Sequence, residues 1–155
     1  MLIKFQLNSV PVEAACEPGM TLFEYLRQHG FYSVKYGCDH GECGACAVLV
    51  DGKAMNSCLL LIHAAGGKKI ETVEGLADNR AATAIQEAFL DEGAVQCGYC
   101  TPGMIIAIEA LLREKPEFDE DDVRDALAGN LCRCTGYVKP VIAVMNLQDR
   151  GGQRK

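Results

Sequence analysis

The chain has 155 residues, 49% of them hydrophobic, and 15 Lys and Arg against 21 Asp and Glu give a net charge of −6. This acidic balance, without a basic block, disfavours nucleic acid as a partner. No apolar stretch is long enough to span a bilayer and the first residues do not resemble a signal peptide, so we expect a cytoplasmic protein. In that compartment its nine cysteines indicate metal binding more than disulfides.

The chain begins with the pattern of a β-hairpin and a helix. Apolar and polar residues alternate over 3–7 and again over 10–14, which predicts two paired strands. Thr21 and Glu24 have the spacing of a capping box, and Gly30 stands where a helix would end. One short helix is therefore expected after the hairpin.

Two further strand patterns follow a glycine-rich stretch. Residues 47–50 and 53–55 flank Asp51-Gly52, a pair typical of a tight hairpin turn. Residues 70–73 predict one more strand. The first half should thus be a small sheet crossed by a helix.

From about Ala81 the apolar residues recur at helical spacing. The acidic run Asp119–Asp122 could suggest a docking surface, but carboxylates also favour the start of a helix, which is the stronger interpretation. The change of period places a domain boundary near 74–80, which divides the chain into 1–75 and 76–155. Four helices are predicted, ending before Gly93, ending before Pro116, running from the cap Asp119 to Gly129, and running from Val138 to Leu147.

Four cysteines in the first half have the spacing of an iron–sulfur loop. The spacing is C-x4-C-x2-C, followed after eleven residues by a fourth Cys, and the first three match plant-type ferredoxins. Glycines at positions 37, 41 and 44 would let backbone N–H groups approach the sulfur atoms. The candidate ligands are Cys38, Cys43, Cys46 and Cys58.

Structural zinc is the competing interpretation, because four thiolates also suit Zn²⁺. Zinc ribbons usually pair two C-x2-4-C knuckles, whereas here three ligands come from one loop, so iron–sulfur is favoured. His40 could complete a Cys3His zinc site, but with Cys58 available it is more consistent with an ordinary loop residue.

The second half carries a CxxC and a CxC, each between two predicted helices. Cys97 and Cys100 form the first pair, and Cys132 and Cys134 form the second. CxxC alone would also fit a redox disulfide or half of a zinc knuckle. Thiolates placed at helix ends would be surrounded by unpaired N–H groups, and Pro102 suits a first helical turn.

Three motifs in this order resemble the iron–sulfur subunits of the molybdenum hydroxylases, the family of xanthine dehydrogenase, aldehyde oxidoreductase and carbon monoxide dehydrogenase. They are Gly-Cys-Asp-His-Gly-Glu-Cys-Gly-Ala-Cys at 37–46, Gln-Cys-Gly-Tyr-Cys-Thr-Pro-Gly-Met at 96–104, and Gly-Asn-Leu-Cys-Arg-Cys-Thr-Gly-Tyr at 129–137. The resemblance covers residues 1 to about 148.

The resemblance implies an α+β fold, in which a β-grasp ferredoxin-type domain is followed by an all-α four-helix domain. It implies a distal [2Fe-2S] cluster on Cys38, Cys43, Cys46 and Cys58 and a proximal one on Cys97, Cys100, Cys132 and Cys134. Gln96 and Cys134 match positions that contact the pterin of a molybdenum cofactor held by a large partner subunit.

The implied function is electron transfer, with no substrate chemistry on this chain. Electrons would pass between the large subunit and an external acceptor, usually FAD in a medium subunit, in a heteromeric complex able to dimerise. The alternatives are a free two-cluster ferredoxin that shuttles electrons and a zinc-stabilised interaction module.

Two residues near these motifs have no assigned ligand role. Arg133 could raise the potential of the proximal cluster, or it could pair with a carboxylate or a partner subunit. The ninth cysteine, Cys16, is expected to be an ordinary buried residue.

Overall fold

The computed structural model describes residues 2–77 and 80–152, and its first half is built on one mixed five-stranded sheet. The strand order is β2-β1-β5-β3-β4. β1 pairs antiparallel with β2 and parallel with β5, and β3 is antiparallel to both β4 and β5, which confirms the two predicted hairpins. The strands are β1 (Leu2–Leu7), β2 (Val10–Ala15), β3 (Ala47–Val50), β4 (Lys53–Asn56) and β5 (Lys69–Glu71).

One helix, α1 (Leu22–Gln28), packs on this sheet. The Thr21 hydroxyl accepts a hydrogen bond from the Glu24 N–H at 3.1 Å, and a Glu24 carboxylate oxygen accepts one from the Thr21 N–H at 2.7 Å. The predicted capping box is therefore confirmed. Gly30 follows the helix with φ +87°, a conformation that favours glycine.

The last strand is shorter than the sequence predicts, since β5 ends at Glu71 and a 3₁₀ turn covers Val73–Leu76. The cause is a contact between Asn8, in the β1–β2 turn, and buried Thr72. The Thr72 N–H donates to the Asn8 Oδ1 at 2.9 Å, and the Asn8 Nδ2 donates to the Thr72 Oγ1 at 3.0 Å. These side-chain bonds replace the ladder and turn the chain away from the sheet.

Four helices form the described part of the second half, as predicted, although the last continues to Gly152 and does not end at Leu147. They are α2 (Arg80–Asp91), α3 (Thr101–Glu114), α4 (Glu120–Leu127) and α5 (Val138–Gly152). The acidic run is the start of α4. The Asp119 carboxylate accepts from the Asp122 N–H at 3.0 Å, and the Asp122 carboxylate accepts from the Asp119 N–H at 2.9 Å. The helix-start interpretation is confirmed.

Separate apolar cores lie under the sheet and between the helices. A third cluster joins the two halves where α3 packs on β3. Its buried members are Ala47, Leu49, Leu76, Ala82 and Ile106. The division at residue 75 itself stays a prediction. Within residues 2–77 and 80–152, no helix has the length and apolar character needed to cross a membrane.

Candidate metal centres

The β3–β4 hairpin brings the fourth cysteine of the first group to the loop that carries the other three. β3 begins directly after Cys46, and the hairpin register places Ala47 opposite Asn56. Cys58 follows in a 3₁₀ turn, Ser57–Leu59. Buried Ser57 holds this turn next to Cys46, because its hydroxyl donates to the Cys46 carbonyl at 2.7 Å.

The four thiols of this group line one small cavity, where Cys43 lies beside Cys38 and Cys58 lies beside Cys46. Backbone N–H groups point at the sulfur atoms as well. The His40 N–H lies 3.4 Å from the Cys38 Sγ, and the Ala45 N–H lies 3.5 Å from the Cys43 Sγ. Each iron of a two-iron cluster takes two thiolates, so paired thiols among inward N–H groups fit such a cluster.

These surroundings shift the pKa values of the thiols in opposite directions. Hydrogen bonds from the N–H groups of His40 and Cys43 lower the pKa of Cys38 to about 6, because they stabilise the thiolate. Burial, followed by the Cys46 thiol, raises the pKa of Cys58 to about 12. The loop thus supplies stabilisation for negative sulfur and partial shielding from water together.

At two glycines of this loop an added side chain would meet a neighbouring side chain. A Cβ at position 37 would lie 2.5 Å from the Cys43 Sγ. A Cβ at position 41, where φ is +76°, would lie 2.2 Å from the Leu59 Cδ1. A side chain at position 37 would displace a candidate ligand thiol, and at position 41 the positive φ favours glycine although the exposed Leu59 side chain could move.

The second group lies around the start of α3. Cys100 is the N-cap residue of α3, and Pro102 is in its first turn, as the sequence predicts. Cys132 and Cys134 lie in the loop between α4 and α5. That loop is fixed by Tyr137, whose hydroxyl accepts a hydrogen bond from the Cys132 N–H at 2.9 Å.

Thiols of the CxxC lie beside thiols of the CxC, Cys97 next to Cys134 and Cys100 next to Cys132. The Tyr99 N–H, and then the Cys134 thiol, lower the pKa of Cys97. Burial, and then the Cys132 thiol, raise the pKa of Cys100 to about 12.

Within 2–77 and 80–152, no three or more His, Cys, Asp or Glu side chains are arranged to hold a single metal ion.

The exposed side of the second group carries Gln96, Cys97 and Cys134. Cys100 and Cys132 are half-buried. Arg133 is exposed. The two residues that resemble pterin contacts are thus open to a partner.

The two cysteine loops touch each other directly, which the sequence does not indicate. The Leu131 N–H donates to the Cys43 carbonyl at 2.9 Å, and the buried Asn130 Nδ2 donates to the Gly44 carbonyl at 3.2 Å. A Cβ at Gly103 would lie 2.2 Å from the Gly44 oxygen. These backbone contacts hold the two groups at one fixed separation.

The remaining cysteine belongs to neither of these groups. Cys16 is 6% exposed and belongs to the core under the sheet, as expected. His40 is exposed in the first loop, where its backbone N–H rather than its ring meets sulfur.

Two family descriptions match the chain, one to each half. A 2Fe-2S iron-sulfur cluster binding domain matches residues 5–77, and a [2Fe-2S] binding domain matches residues 72–145. The xanthine dehydrogenase iron-sulfur-binding subunit of Escherichia coli O157:H7 is 49% identical over 149 residues, which are 94% of this chain and 93% of that protein. The chain is an iron–sulfur subunit of the molybdenum hydroxylase family. This confirms the resemblance described above.

Other members of the family agree. The nicotinate dehydrogenase small FeS subunit of Eubacterium barkeri is 43% identical over 96% of this chain and 95% of its own length. Quinoline 2-oxidoreductase from Pseudomonas putida 86 contains a chain of 41% identity that superposes with a TM-score of 0.87 over 97% of both. The predicted α+β fold, a β-grasp ferredoxin-type unit followed by a helical unit, is confirmed.

The family settles the role of this iron–sulfur subunit. It carries two [2Fe-2S] clusters and transfers electrons within an oxidoreductase complex, without substrate chemistry of its own, as predicted. In aldehyde oxidoreductase from Desulfovibrio desulfuricans the matching unit covers 17% of the chain, at 35% identity and a TM-score of 0.90 over 99% of this subunit. A larger partner therefore belongs with this unit.

The structure shows residues that connect the two cysteine loops, and the sequence patterns do not indicate them. Lys35, Tyr99 and Asn130 connect the two loops, yet sequence patterns assign none of them a role. A lone lysine and an asparagine at a helix end carry no spacing signal. Only their place inside quoted motifs, for Tyr99 and Asn130, could have drawn attention to them.

Proposed function

We propose that the two cysteine groups are the two ligand sets. Cys38, Cys43, Cys46 and Cys58 hold the distal cluster, and Cys97, Cys100, Cys132 and Cys134 hold the proximal one. This assignment rests on how the fold gathers each group, with four thiols around one cavity in the first and the CxxC beside the CxC in the second. Bound there, the clusters accept and release single electrons.

We further propose that the side of the second group bearing Gln96 and Cys134 faces the molybdenum cofactor of the large subunit. Both side chains are exposed and neighbour Cys97, so a pterin could approach the proximal ligands without displacing a helix. Electrons would enter on this side and leave from the first group. The residues of this chain supply the N–H groups and charges that set how readily they do so.

The acceptor beyond the first group is proposed to be FAD in a medium subunit, in a complex that can dimerise. Tyr36 and Leu59 are exposed beside the first loop and offer apolar surface to such a subunit. We propose the cytoplasm as the compartment, since eight of the nine cysteines stand in motifs suited to cluster ligation, which is typical of cysteine-rich proteins kept in a reducing compartment.

The free-ferredoxin alternative is less consistent with the surface. Leu131 and Val138, which flank the CxC, are each 58% exposed, and Leu59 beside the first group is 63% exposed. Apolar side chains around redox centres favour a subunit over a freely diffusing carrier. A stable, redox-active monomer that reduces unrelated acceptors would contradict the subunit proposal.

Metal analysis tests the ligand sets against the zinc alternative. Two [2Fe-2S] clusters predict about four irons and four acid-labile sulfides per chain. Zinc without iron and sulfide would exclude the cluster assignment.

A serine substitution tests which group is proximal. Cys97→Ser should alter the EPR signal of the proximal cluster and stop turnover of the complex with every acceptor, while the distal signal remains. Cys16→Ser is the matched control, and it should keep both signals and about four irons per chain. Loss of the distal signal in Cys97→Ser, with the proximal one intact, would reverse the assignment.

A further inference from the structure

The backbone of Lys35 is hydrogen-bonded to the first cysteine loop. It stands two positions before Gly37, and its N–H donates to the Ala45 carbonyl at 2.9 Å. Ala45 is the residue that separates Gly44 from Cys46. The main chain at Lys35 is therefore fixed to the loop of the distal set.

The side chain of Lys35 reaches the other cysteine group. Its Nζ donates to the Gly98 carbonyl at 3.1 Å and lies 5.1 Å from the centroid of the Tyr99 ring. The Tyr99 hydroxyl in turn donates to the carbonyl of Tyr36. Lys35 and Tyr36 thus hold Gly98 and Tyr99, the two residues that separate the CxxC thiols.

The charge of Lys35 is available to the thiols beside it. Lys35 is half-buried, and it forms no ion pair with any carboxylate of the residues that the structure describes. Its Nζ is held against the carbonyl of Gly98, the residue that directly follows Cys97, so the positive charge lies beside the CxxC thiols. A partly buried charge is weakly screened, so its influence on nearby sulfur persists at physiological salt.

We propose that Lys35 is a positioning residue for the proximal cluster, and that it raises the reduction potential of that cluster from the opposite half of the chain. The inference rests on the proposed ligand sets. Reduction takes such a cluster with its thiolates from about −2 to about −3, so a nearby positive charge stabilises the reduced form more. The hydrogen bond to Gly98 keeps that charge at a fixed place on the CxxC loop.

The test is an EPR-monitored redox titration of the intact complex with four variants. Lys35→Met and Lys35→Gln remove the charge, and Gln keeps a hydrogen-bond donor. Lys35→Arg keeps the charge. Lys4→Met is the control, since it removes one exposed lysine that pairs with Glu13 on the outer hairpin.

In the neutral variants we expect the reduced-to-oxidised ratio of the proximal cluster at a fixed potential to fall about tenfold. For a one-electron couple this is a fall of about 59 mV in midpoint potential. The distal midpoint should move less, Lys35→Arg should stay near the wild-type value, and Lys4→Met should not change either midpoint.

Two results would overturn the inference. One is an unchanged proximal midpoint in a neutral variant that retains about four irons per chain. The other is an equal fall in Lys35→Arg and Lys35→Met, which would show a packing role without a role for charge. If one neutral variant loses its proximal cluster, the other decides. Failure of the ligand assignment would differ, because wild-type complex would then lack the proximal signal or the expected iron.

Discussion

Single residues at the contact between the two loops leave almost no room for a side chain, and Gly44 is one of them. Its φ is +68°, and a Cβ there would lie 2.3 Å from the Gly129 oxygen and 2.4 Å from the Asn130 Nδ2. The first obstacle is main chain, which cannot move without moving the ligand loop.

Gly44→Ala should therefore destabilise the subunit by about 1–3 kcal/mol more than the left-handed strain alone. Gly52→Ala is the matched control, because Gly52 has φ +83° with nothing within 4 Å of its Cβ position. That strain costs about 1–2 kcal/mol. Thermal denaturation of the complex, followed by cluster absorbance, should give a lower midpoint for Gly44→Ala, and equal midpoints would contradict the contact argument.

At the scale of elements, one arginine joins the sheet to the helices. Arg113 on α3 reaches Glu71 at the end of β5 through two N···O contacts of 2.5 and 3.2 Å. Its Nε also donates to Glu109 on the same helix at 2.9 Å. Glu109 is 2% exposed, so its carboxylate is shielded from water and lies against the guanidinium.

Arg113→Met should lower the free energy of unfolding by about 1–3 kcal/mol, because it removes the guanidinium from a buried carboxylate while keeping an apolar stem. Arg124→Met is the control, since Arg124 pairs with exposed Glu120 four residues away on α4. An exposed pair contributes less than about 0.5 kcal/mol. Denaturant titration measures both, and similar losses would show that Arg113 does not join the two halves.

Most elements could be predicted from local patterns, because hairpins and amphipathic helices are encoded by period and by caps. The early end of β5 could not, since Asn8 and Thr72 are 64 positions apart in the sequence and meet only when the chain has folded. Spacing likewise predicted that eight cysteines form two groups. It could not give which thiols lie side by side, because that depends on the β3–β4 register and on two loops that meet across the helices.

At the scale of the whole molecule, the loop that joins the two cysteine groups also presents apolar surface. Leu131 donates its N–H to Cys43, which fixes its backbone, yet its side chain is 58% exposed. An exposed apolar side chain on a fixed backbone next to Cys132 favours burial against a partner, since little backbone conformational entropy is lost on binding. Because Gln96 and Cys134 are exposed beside the same ligand set, the partner proposed for this side is the large subunit.

Leu131→Gln should weaken association with the large subunit by about tenfold, which corresponds to about 1.4 kcal/mol. The control is Leu2→Gln, because Leu2 is 62% exposed but lies at the far hairpin, away from both cysteine groups. Copurification at matched expression, followed by dilution of the complex, compares the two variants. Iron content should stay at about four per chain in both, since neither side chain is a ligand. Equal retention of the large subunit would place its docking surface elsewhere, and loss of association in Leu2→Gln alone would place it on the outer hairpin.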